Sequence, residues 1–231
     1  MGRWNLIMDQ TWIVIPAYNE GKTILNVLKS LEIAGYKNII VVDDGSRDNT
    51  FEVAKKHAKV VVKHKLNRGL GGALGTGIQG ALRMGAEYIV TFDADGQHDT
   101  KDIQKVLSPL KRREADAVIG SRMIDPEGMP LKRRISNRIA NYVTYFLFGV
   151  WTTDSQSGLR GFNRKAAEHI RIRTNRMEVS SEIIREIGYH DLRFKEVPIK
   201  AIYTDYSLSK GQSFIVGIKT FAKLLMHRLI K

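Results

Sequence analysis

The chain has 231 residues, 43% of them hydrophobic, which is enough for one substantial core or two small ones. It contains no cysteine, which excludes disulfide bonds and thiolate metal sites and fits a reducing cytosol. Lysine and arginine number 37 against 24 acidic residues, and the resulting net charge of +13 favours nucleic acid, anionic lipid or phosphorylated substrates as partners. No stretch reaches the roughly 20 apolar residues that span a bilayer, so any membrane contact is expected to be peripheral.

The first half of the chain alternates predicted strands with predicted helices. Strands at 11–17, 38–44, 59–63, 87–93 and 116–120 alternate with helices at 20–34, 48–58, 70–85 and 100–113. This order predicts an α/β fold with right-handed crossovers and a largely parallel sheet. The second half does not alternate strands and helices regularly. Its helices are predicted at 134–151, 165–172, 179–188 and 212–231 and its strands at 158–162 and 194–202.

Two carboxylates stand where the strand predicted at 87–93 ends. Asp93 and Asp95 are two residues apart, and side chains at that spacing on an extended strand point to the same side. Gln97 adds an amide at the same strand end, where ligand sites of open α/β sheets lie. The group predicts a divalent metal holding a diphosphate, and the competing interpretation is a solvated strand end with a turn at Gly96.

A second strand also ends in carboxylates. Asp44 is predicted to accept hydrogen bonds from a base or ribose, because this is the second acidic strand end in the chain. Asn19, after the first strand, is predicted to cap the following helix. The run Gly21-Lys22-Thr23 is not a phosphate loop, since Pro16 occupies the place of that motif's first glycine.

A glycine-rich segment formally matches the dinucleotide-binding spacing at 75–80. The match lies inside the helix predicted at 70–85 rather than directly after a strand, which argues against a dinucleotide site. Small residues at helical spacing indicate close helix packing instead. Arg68, at the start of the segment, could still reach a phosphate.

A third polar group lies between a long apolar helix and a predicted strand. It consists of Asp154, Ser155, Gln156 and Ser157. These residues could orient an acceptor or supply a base, or they could form an ordinary capped turn. The residue types alone leave the choice open.

The motifs are specific in their order rather than one by one. They are Pro16-Ala17-Tyr18-Asn19-Glu20, Val42-Asp43-Asp44-Gly45-Ser46, Asn67-Arg68-Gly69, Asp93-Ala94-Asp95-Gly96-Gln97-His98, Gly120-Ser121-Arg122 and Asp154-Ser155-Gln156-Ser157-Gly158. This set, over residues 11–203, resembles glycosyltransferase family 2, and within it the dolichyl- or polyprenyl-phosphate sugar synthases.

The resemblance implies a GT-A fold, with a mostly parallel central sheet flanked by helices, and an inverting transfer from a nucleotide sugar. It implies nucleotide contacts at Pro16, Tyr18, Glu20, Asp44, Arg68 and Asp93. It also implies that Mg²⁺ or Mn²⁺ is bound at Asp93, Asp95 and Gln97, with Asp95 essential for catalysis. A divalent ion would stabilise the charge that develops on the leaving nucleoside diphosphate.

The resemblance assigns the acceptor phosphate to Arg122, Arg133, Arg134 and Ser157. Asp154 would lie near the reacting sugar, as a base or as an orienting group. A phosphate monoester has its second pKa at about 6 and is already largely ionised at neutral pH, so it needs little help from a base.

We expect one catalytic domain over 1–231, because no Pro-, Ser- or charge-rich linker divides the chain, with a donor half at 1–121, an acceptor half at 122–205 and an amphipathic helix at 206–231. Many relatives have carboxy-terminal membrane spans, which this sequence lacks. The segments 135–151 and 212–231 have apolar faces and basic flanks, and we expect them to bind the cytoplasmic face of a membrane peripherally.

The expected function is transfer of a hexose from UDP-glucose or GDP-mannose to dolichyl or polyprenyl phosphate. The alternative within the same class is transfer to a sugar hydroxyl of a glycan, which would require a true base. A nucleic-acid-binding module would use the positive charge, but no such motif is present and the strand ends are acidic. A nicotinamide dehydrogenase is disfavoured by the misplaced glycines.

Overall fold

The computed structural model describes residues 10–200 and 202, which form seven strands and seven helices. The strands are β1 (Thr11–Ala17), β2 (Ile39–Asp43), β3 (Val60–Lys63), β4 (Tyr88–Thr91), β5 (Ala117–Ser121), β6 (Arg160–Asn163) and β7 (Phe194–Pro198). The helices are α1 (Ile24–Ile33), α2 (Thr50–His57), α3 (Gly69–Arg83), α4 (Asp102–Lys111), α5 (Leu131–Phe148), α6 (Arg164–His169) and α7 (Val179–Tyr189). The helix predicted at 212–231 lies outside the described residues.

The described strands form a single sheet in the order β3-β2-β1-β4-β6-β5-β7. The predicted α/β class and mostly parallel sheet are confirmed, with one exception. Strand β6 runs antiparallel to both of its neighbours, β4 and β5. Its amino end therefore lies beside the carboxyl ends of those two strands.

Two apolar layers cover the sheet. On one face, α1 and α4 pack around Ile13, Ile15 and Val41. On the other, α3, α6 and α7 pack against Val14, Ile40 and other residues. Alternate residues of one strand therefore enter different layers, as a sheet covered on both faces requires.

The glycines of α3 have the packing role predicted for them. A Cβ at Gly77 would come 2.3 Å from Val14 Cγ1, and one at Gly80 would come 2.7 Å from Ile40 Cδ1. The apparent dinucleotide motif therefore lies within a helix and allows that helix to approach the sheet closely.

Helix α5 exposes apolar residues and buries polar ones. Its buried residues are Asn141, Thr144 and Leu147, whereas Phe146 is 77% exposed. Five further apolar residues of α5 are exposed: Leu131, Ile135, Ile139, Tyr142 and Tyr145. Within residues 10–200 and 202, no helix is long and apolar enough to cross a bilayer.

Candidate active site

The candidate site lies at one edge of the sheet. The carboxyl ends of β1, β2 and β4 meet there, because these strands are parallel neighbours. The antiparallel strand β6 starts at the same edge, where Arg160 pairs with Thr91. The sheet thus brings the loop after β4 and the loop before β6 together, although they are distant in sequence.

A turn, rather than an extended strand, positions the acidic pair. Strand β4 ends at Thr91, so the expected strand spacing of Asp93 and Asp95 is wrong. Gly96 has a φ of 76°, a left-handed conformation that favours glycine. Asp95 accepts hydrogen bonds from the Gln97 backbone amide at 3.0 Å and from Gln97 Nε2 at 2.7 Å.

The two carboxylates differ in their electrostatic environment. Burial and the negative charge of Asp93 raise the pKa of Asp95. Burial also raises the pKa of Asp93, but a hydrogen bond from His98 and the charges of His98, Arg122 and Arg160 outweigh it, so this pKa lies below its usual value. An anionic Asp93 that repels a second carboxylate is a suitable environment for a cation.

The residues present suit a hard divalent cation. Asp93 and Asp95 supply carboxylate oxygens, and Mg²⁺ is commonly held by one or two carboxylates with substrate phosphates. Among the described residues, no group of three or more His, Cys, Asp or Glu side chains could hold a metal. Gln97, the third predicted ligand, accepts from Arg133 Nη1 at 3.2 Å, so its oxygen would have to leave that arginine to bind a metal.

Asp44 is hydrogen-bonded to the loop that follows β3. It lies 2.7 Å from His64 Nδ1, and it accepts backbone hydrogen bonds from Arg68 at 2.9 Å and Gly69 at 2.6 Å. The carboxylate therefore joins the end of β2 to the loop before α3 and has little capacity left for a base or ribose. Its neighbour Asp43 keeps one buried oxygen that has no hydrogen-bond partner among the described residues.

The other predicted nucleotide residues are placed at the end of β1. Tyr18 is exposed just beyond the strand, whereas Pro16 is buried within it. Glu20 Oε2 accepts from Thr23 Oγ1 at 2.9 Å. Asn19 does not cap the following helix, because α1 begins at Ile24, and its side chain accepts from the Arg47 amide of the neighbouring loop instead.

On the acceptor side, Arg122 is fixed by Asp154. Its Nε and Nη2 donate to the two oxygens of Asp154 at 2.7 and 2.9 Å, and its backbone amide adds a third bond at 3.0 Å. Asp154 is completely buried. A carboxylate paired in this way orients a guanidinium and is poorly placed to remove a proton.

The remaining acceptor residues are placed differently from one another. Arg133 reaches Gln97, so it lies beside the acidic loop. Arg134 is half-buried and forms no ion pair with another predicted site residue in the described part of the chain. Ser157 is fully buried, and its Oγ has no hydrogen-bond partner among residues 10–200 and 202.

Three residues around Asp93 were given no site role from the sequence. His98 Nε2 lies 3.1 Å from Asp93 Oδ2 and orients that carboxylate. A Cβ at Gly158 would come 1.9 Å from the same oxygen, so a larger residue there would displace the Asp93 carboxylate. Arg160 is buried beneath the site, and burial lowers its pKa to about 10. The signal for Gly158 and Arg160 was their place just after the 154–157 group.

Comparison with known proteins identifies relatives of this chain. Residues 12–171 match the family model for glycosyl transferase family 2. An uncharacterized protein of Methanocaldococcus jannaschii is 51% identical, over 96% of this chain and 93% of its own. A UDP-N-acetylglucosamine–dolichyl-phosphate N-acetylglucosaminyltransferase of Methanococcus voltae is 40% identical, over 95% of this chain and 96% of its own.

A solved structure also shares the fold. Glucosyl-3-phosphoglycerate synthase from Mycobacterium tuberculosis, in complex with Mn²⁺, UDP and phosphoglyceric acid, aligns with a TM-score of 0.70 at 18% identity. The alignment covers 95% of this chain and 78% of that protein. This likeness confirms the predicted GT-A fold.

Proposed function

The chain belongs to glycosyl transferase family 2, and we propose that it transfers a sugar from a UDP-sugar to a polyprenyl phosphate, with inversion at the anomeric carbon. The enzyme class follows from the family. The donor and acceptor are inferred from the relative in Methanococcus voltae, whose name specifies UDP-N-acetylglucosamine and dolichyl phosphate and which matches over nearly the whole chain.

One observation carries the proposal: a fixed arginine lies close to an acidic pair at the same sheet edge. Asp154 binds Arg122, and Gly158 of the same loop contacts Asp93, so one loop brings the two groups together. Asp93 and Asp95 would hold the cation, which when bound stabilises the charge on the leaving diphosphate. Arg122 would bind the acceptor phosphate, and the site would thus place both substrates side by side.

The chemistry needs positioning more than proton transfer. A phosphate oxygen of the acceptor attacks the anomeric carbon, and the bond from that carbon to the diphosphate oxygen breaks. The acceptor is largely ionised at neutral pH, with its second pKa at about 6. We therefore assign Asp154 the task of holding Arg122 in place. Transfer to a sugar hydroxyl is less favoured because it needs a base, and the Asp154 carboxylate is engaged by Arg122.

The outer face of α5 supports action at a membrane surface. Exposed apolar residues recur along the helix at Leu131, Ile135, Ile139, Tyr142 and Phe146, and basic residues crowd its beginning at Lys132, Arg133, Arg134 and Arg138. Apolar residues with a basic flank suit the interface of a bilayer that contains anionic lipid. We propose that α5 rests on the cytoplasmic leaflet, where a polyprenyl phosphate presents its head group.

The test is a donor panel with a short polyprenyl phosphate acceptor. UDP-N-acetylglucosamine, UDP-glucose and GDP-mannose would be compared in Mg²⁺, Mn²⁺ and chelator. We expect turnover with a UDP-sugar that requires metal and collapses in Asp95→Ala, whereas Glu32→Ala, an exposed carboxylate on α1, retains it. Turnover in chelator would contradict the metal role, and transfer only to glycan hydroxyls would contradict the acceptor.

A further inference from the structure

We propose that a second anion site, separate from the acidic pair, lies along helix α3 and binds a phosphate-bearing ligand. The site is a cleft of about 720 Å³ between α3 and the segment 170–175, called here the arginine cleft. Arg68, Arg83, Arg171 and Arg173 line it. The volume falls in the range of about 300–1,000 Å³ that small-molecule sites occupy.

The lining of the arginine cleft is positively charged. Among the described residues, no aspartate or glutamate lines it. All four arginines are exposed, and within residues 10–200 and 202 none of them forms an ion pair with a carboxylate. Exposed arginines elsewhere on this protein do find carboxylates, as Arg193 does with Asp116. Guanidinium groups gathered without acids form a site for phosphate, which they bind through paired hydrogen bonds.

Glycines bring the two walls of the cleft together. The amides of Gly71 and Gly72 donate to the Asn175 carbonyl at 2.9 and 3.3 Å. A Cβ at Gly71 would come 1.9 Å from the Thr174 carbonyl oxygen, so a larger residue would push the segment 170–175 away from α3. Two glycines of the apparent dinucleotide motif, Gly75 and Gly80, also line the cleft, whereas the third, Gly77, faces β1.

Buried carboxylates of α7 fix the arginine-bearing wall. Glu182 accepts from the backbone amides of Arg173 at 3.1 Å and Thr174 at 2.9 Å, and Glu186 accepts from that of Arg171 at 3.3 Å. These bonds involve the main chain, so both guanidinium groups stay available for a ligand. In the same segment Ile170 is buried and Ile172 is half-buried, whereas the alternating residues Arg171 and Arg173 are exposed.

The cleft is elongated, and Arg68 is the one predicted nucleotide contact that lines it. Helix α3 has 15 residues, so at about 1.5 Å per residue it places Arg68 and Arg83 roughly 20 Å apart. None of the carboxylates of the loop after β4 lines it. A diphosphate would match the neighbouring Arg171 and Arg173, and a phosphate on a longer body would match the full array. The source is either a soluble phosphorylated molecule or the head group of an anionic lipid.

Calorimetric titration of the full chain in EDTA tests the site, because chelator removes metal-assisted binding at Asp93 and Asp95. The probes are inorganic pyrophosphate and short-chain phosphatidylglycerol below its critical micelle concentration. The variant Arg171→Gln/Arg173→Gln should weaken binding at least about tenfold, since each loses a charge-assisted hydrogen bond. The control Lys55→Gln/Lys56→Gln on α2 removes the same charge and should leave affinity within about twofold.

Each outcome decides the proposal. If the arginine variant, but not the control, loses pyrophosphate binding and keeps phosphatidylglycerol binding, the ligand is a soluble phosphate. If it loses phosphatidylglycerol binding and keeps pyrophosphate binding, the ligand is a lipid head group. Equal losses in both variants would show a general charge effect and overturn the site, as would the absence of binding by the unmodified chain. If the double variant fails to fold in a thermal melt, Arg83→Gln at the other end of the cleft is measured in its place.

Discussion

Strand β5 carries a similar ion pair at each end. Before the strand, Asp116 accepts from Arg193 through its Nε, its Nη2 and its backbone amide, at 3.0, 2.9 and 3.1 Å. After it, Asp154 accepts the same three bonds from Arg122. Only the second pair lies at the candidate site, so the two pairs separate the structural effect of such an interaction from its effect on catalysis.

At the residue scale, we therefore compare Asp154→Asn with Asp116→Asn. Asp154→Asn places an amide against Arg122 and frees its guanidinium, and misplacement of a substrate-binding group costs about 100-fold in rate. We expect a loss of that order in kcat/KM for the polyprenyl phosphate. Asp116→Asn should lower stability by about 1 kcal/mol, because Arg193 is more than half exposed, and should keep near-normal turnover.

Steady-state kinetics with denaturant melts on both variants provides the measurement. Similar activity losses in the two variants would mean that Asp154 acts only through stability. A base role for Asp154 would appear as a loss of kcat with little change in the KM for acceptor.

At the element scale, helix α3 offers a matched pair of glycines. A Cβ at Gly77 would lie 2.3 Å from Val14 Cγ1, whereas a Cβ at Gly75 would meet only Ile172, at 3.7 Å. Replacing a helical glycine by alanine gains about 0.5–1 kcal/mol. Overpacking of a tight contact costs about 1–3 kcal/mol.

We expect Gly75→Ala to raise the free energy of unfolding and Gly77→Ala to lower it. Urea denaturation followed by circular dichroism measures both under the same conditions. Shifts of the same sign in the two variants would contradict close packing of α3 against β1.

Most elements could be predicted from sequence because their patterns are local. The strand predicted at 11–17 and the helix predicted at 179–188 agree with β1 and α7 to within one residue. The direction of β6 could not be predicted, since an apolar run carries no information about the neighbour with which it pairs. The contact of Gly158 with Asp93 depends on that pairing and was missed for the same reason.

The site was predicted in its residue types more than in its contacts. The order of motifs identified Asp93, Asp95, Arg122 and Asp154. It could not reveal that Asp44 is engaged by His64 or that Asp154 is bound to Arg122, because those partners are distant in sequence. Whether a polar side chain is free to bind a ligand depends on its neighbours in the folded protein. A motif gives only the residue type.

At the scale of the whole molecule, the outer face of α5 predicts attachment to a bilayer. Ile139→Ser/Phe146→Ser should reduce co-sedimentation with vesicles of phosphatidylcholine and phosphatidylglycerol at least about tenfold, because an inserted Phe or Ile side chain contributes about 1.5–3 kcal/mol. Thermal stability should change little, because both side chains are exposed. The control is Ile33→Ser, an 88% exposed isoleucine on α1.

Unchanged sedimentation of the double variant would contradict this orientation. A change in oligomeric state with no change in sedimentation would instead assign the face to a second copy of the chain.

The inner face of α5 contacts the candidate site. Asn141 donates to the Thr153 carbonyl and accepts from the Ser155 amide, so the same helix that carries the apolar outer surface holds the loop around Asp154. A small tilt of α5 on contact with a lipid phase would move the loop around Asp154, and with it the guanidinium of Arg122. Catalytic competence and adsorption would then be thermodynamically linked, and detergent-solubilised acceptor would be a poorer substrate than the same acceptor in a bilayer.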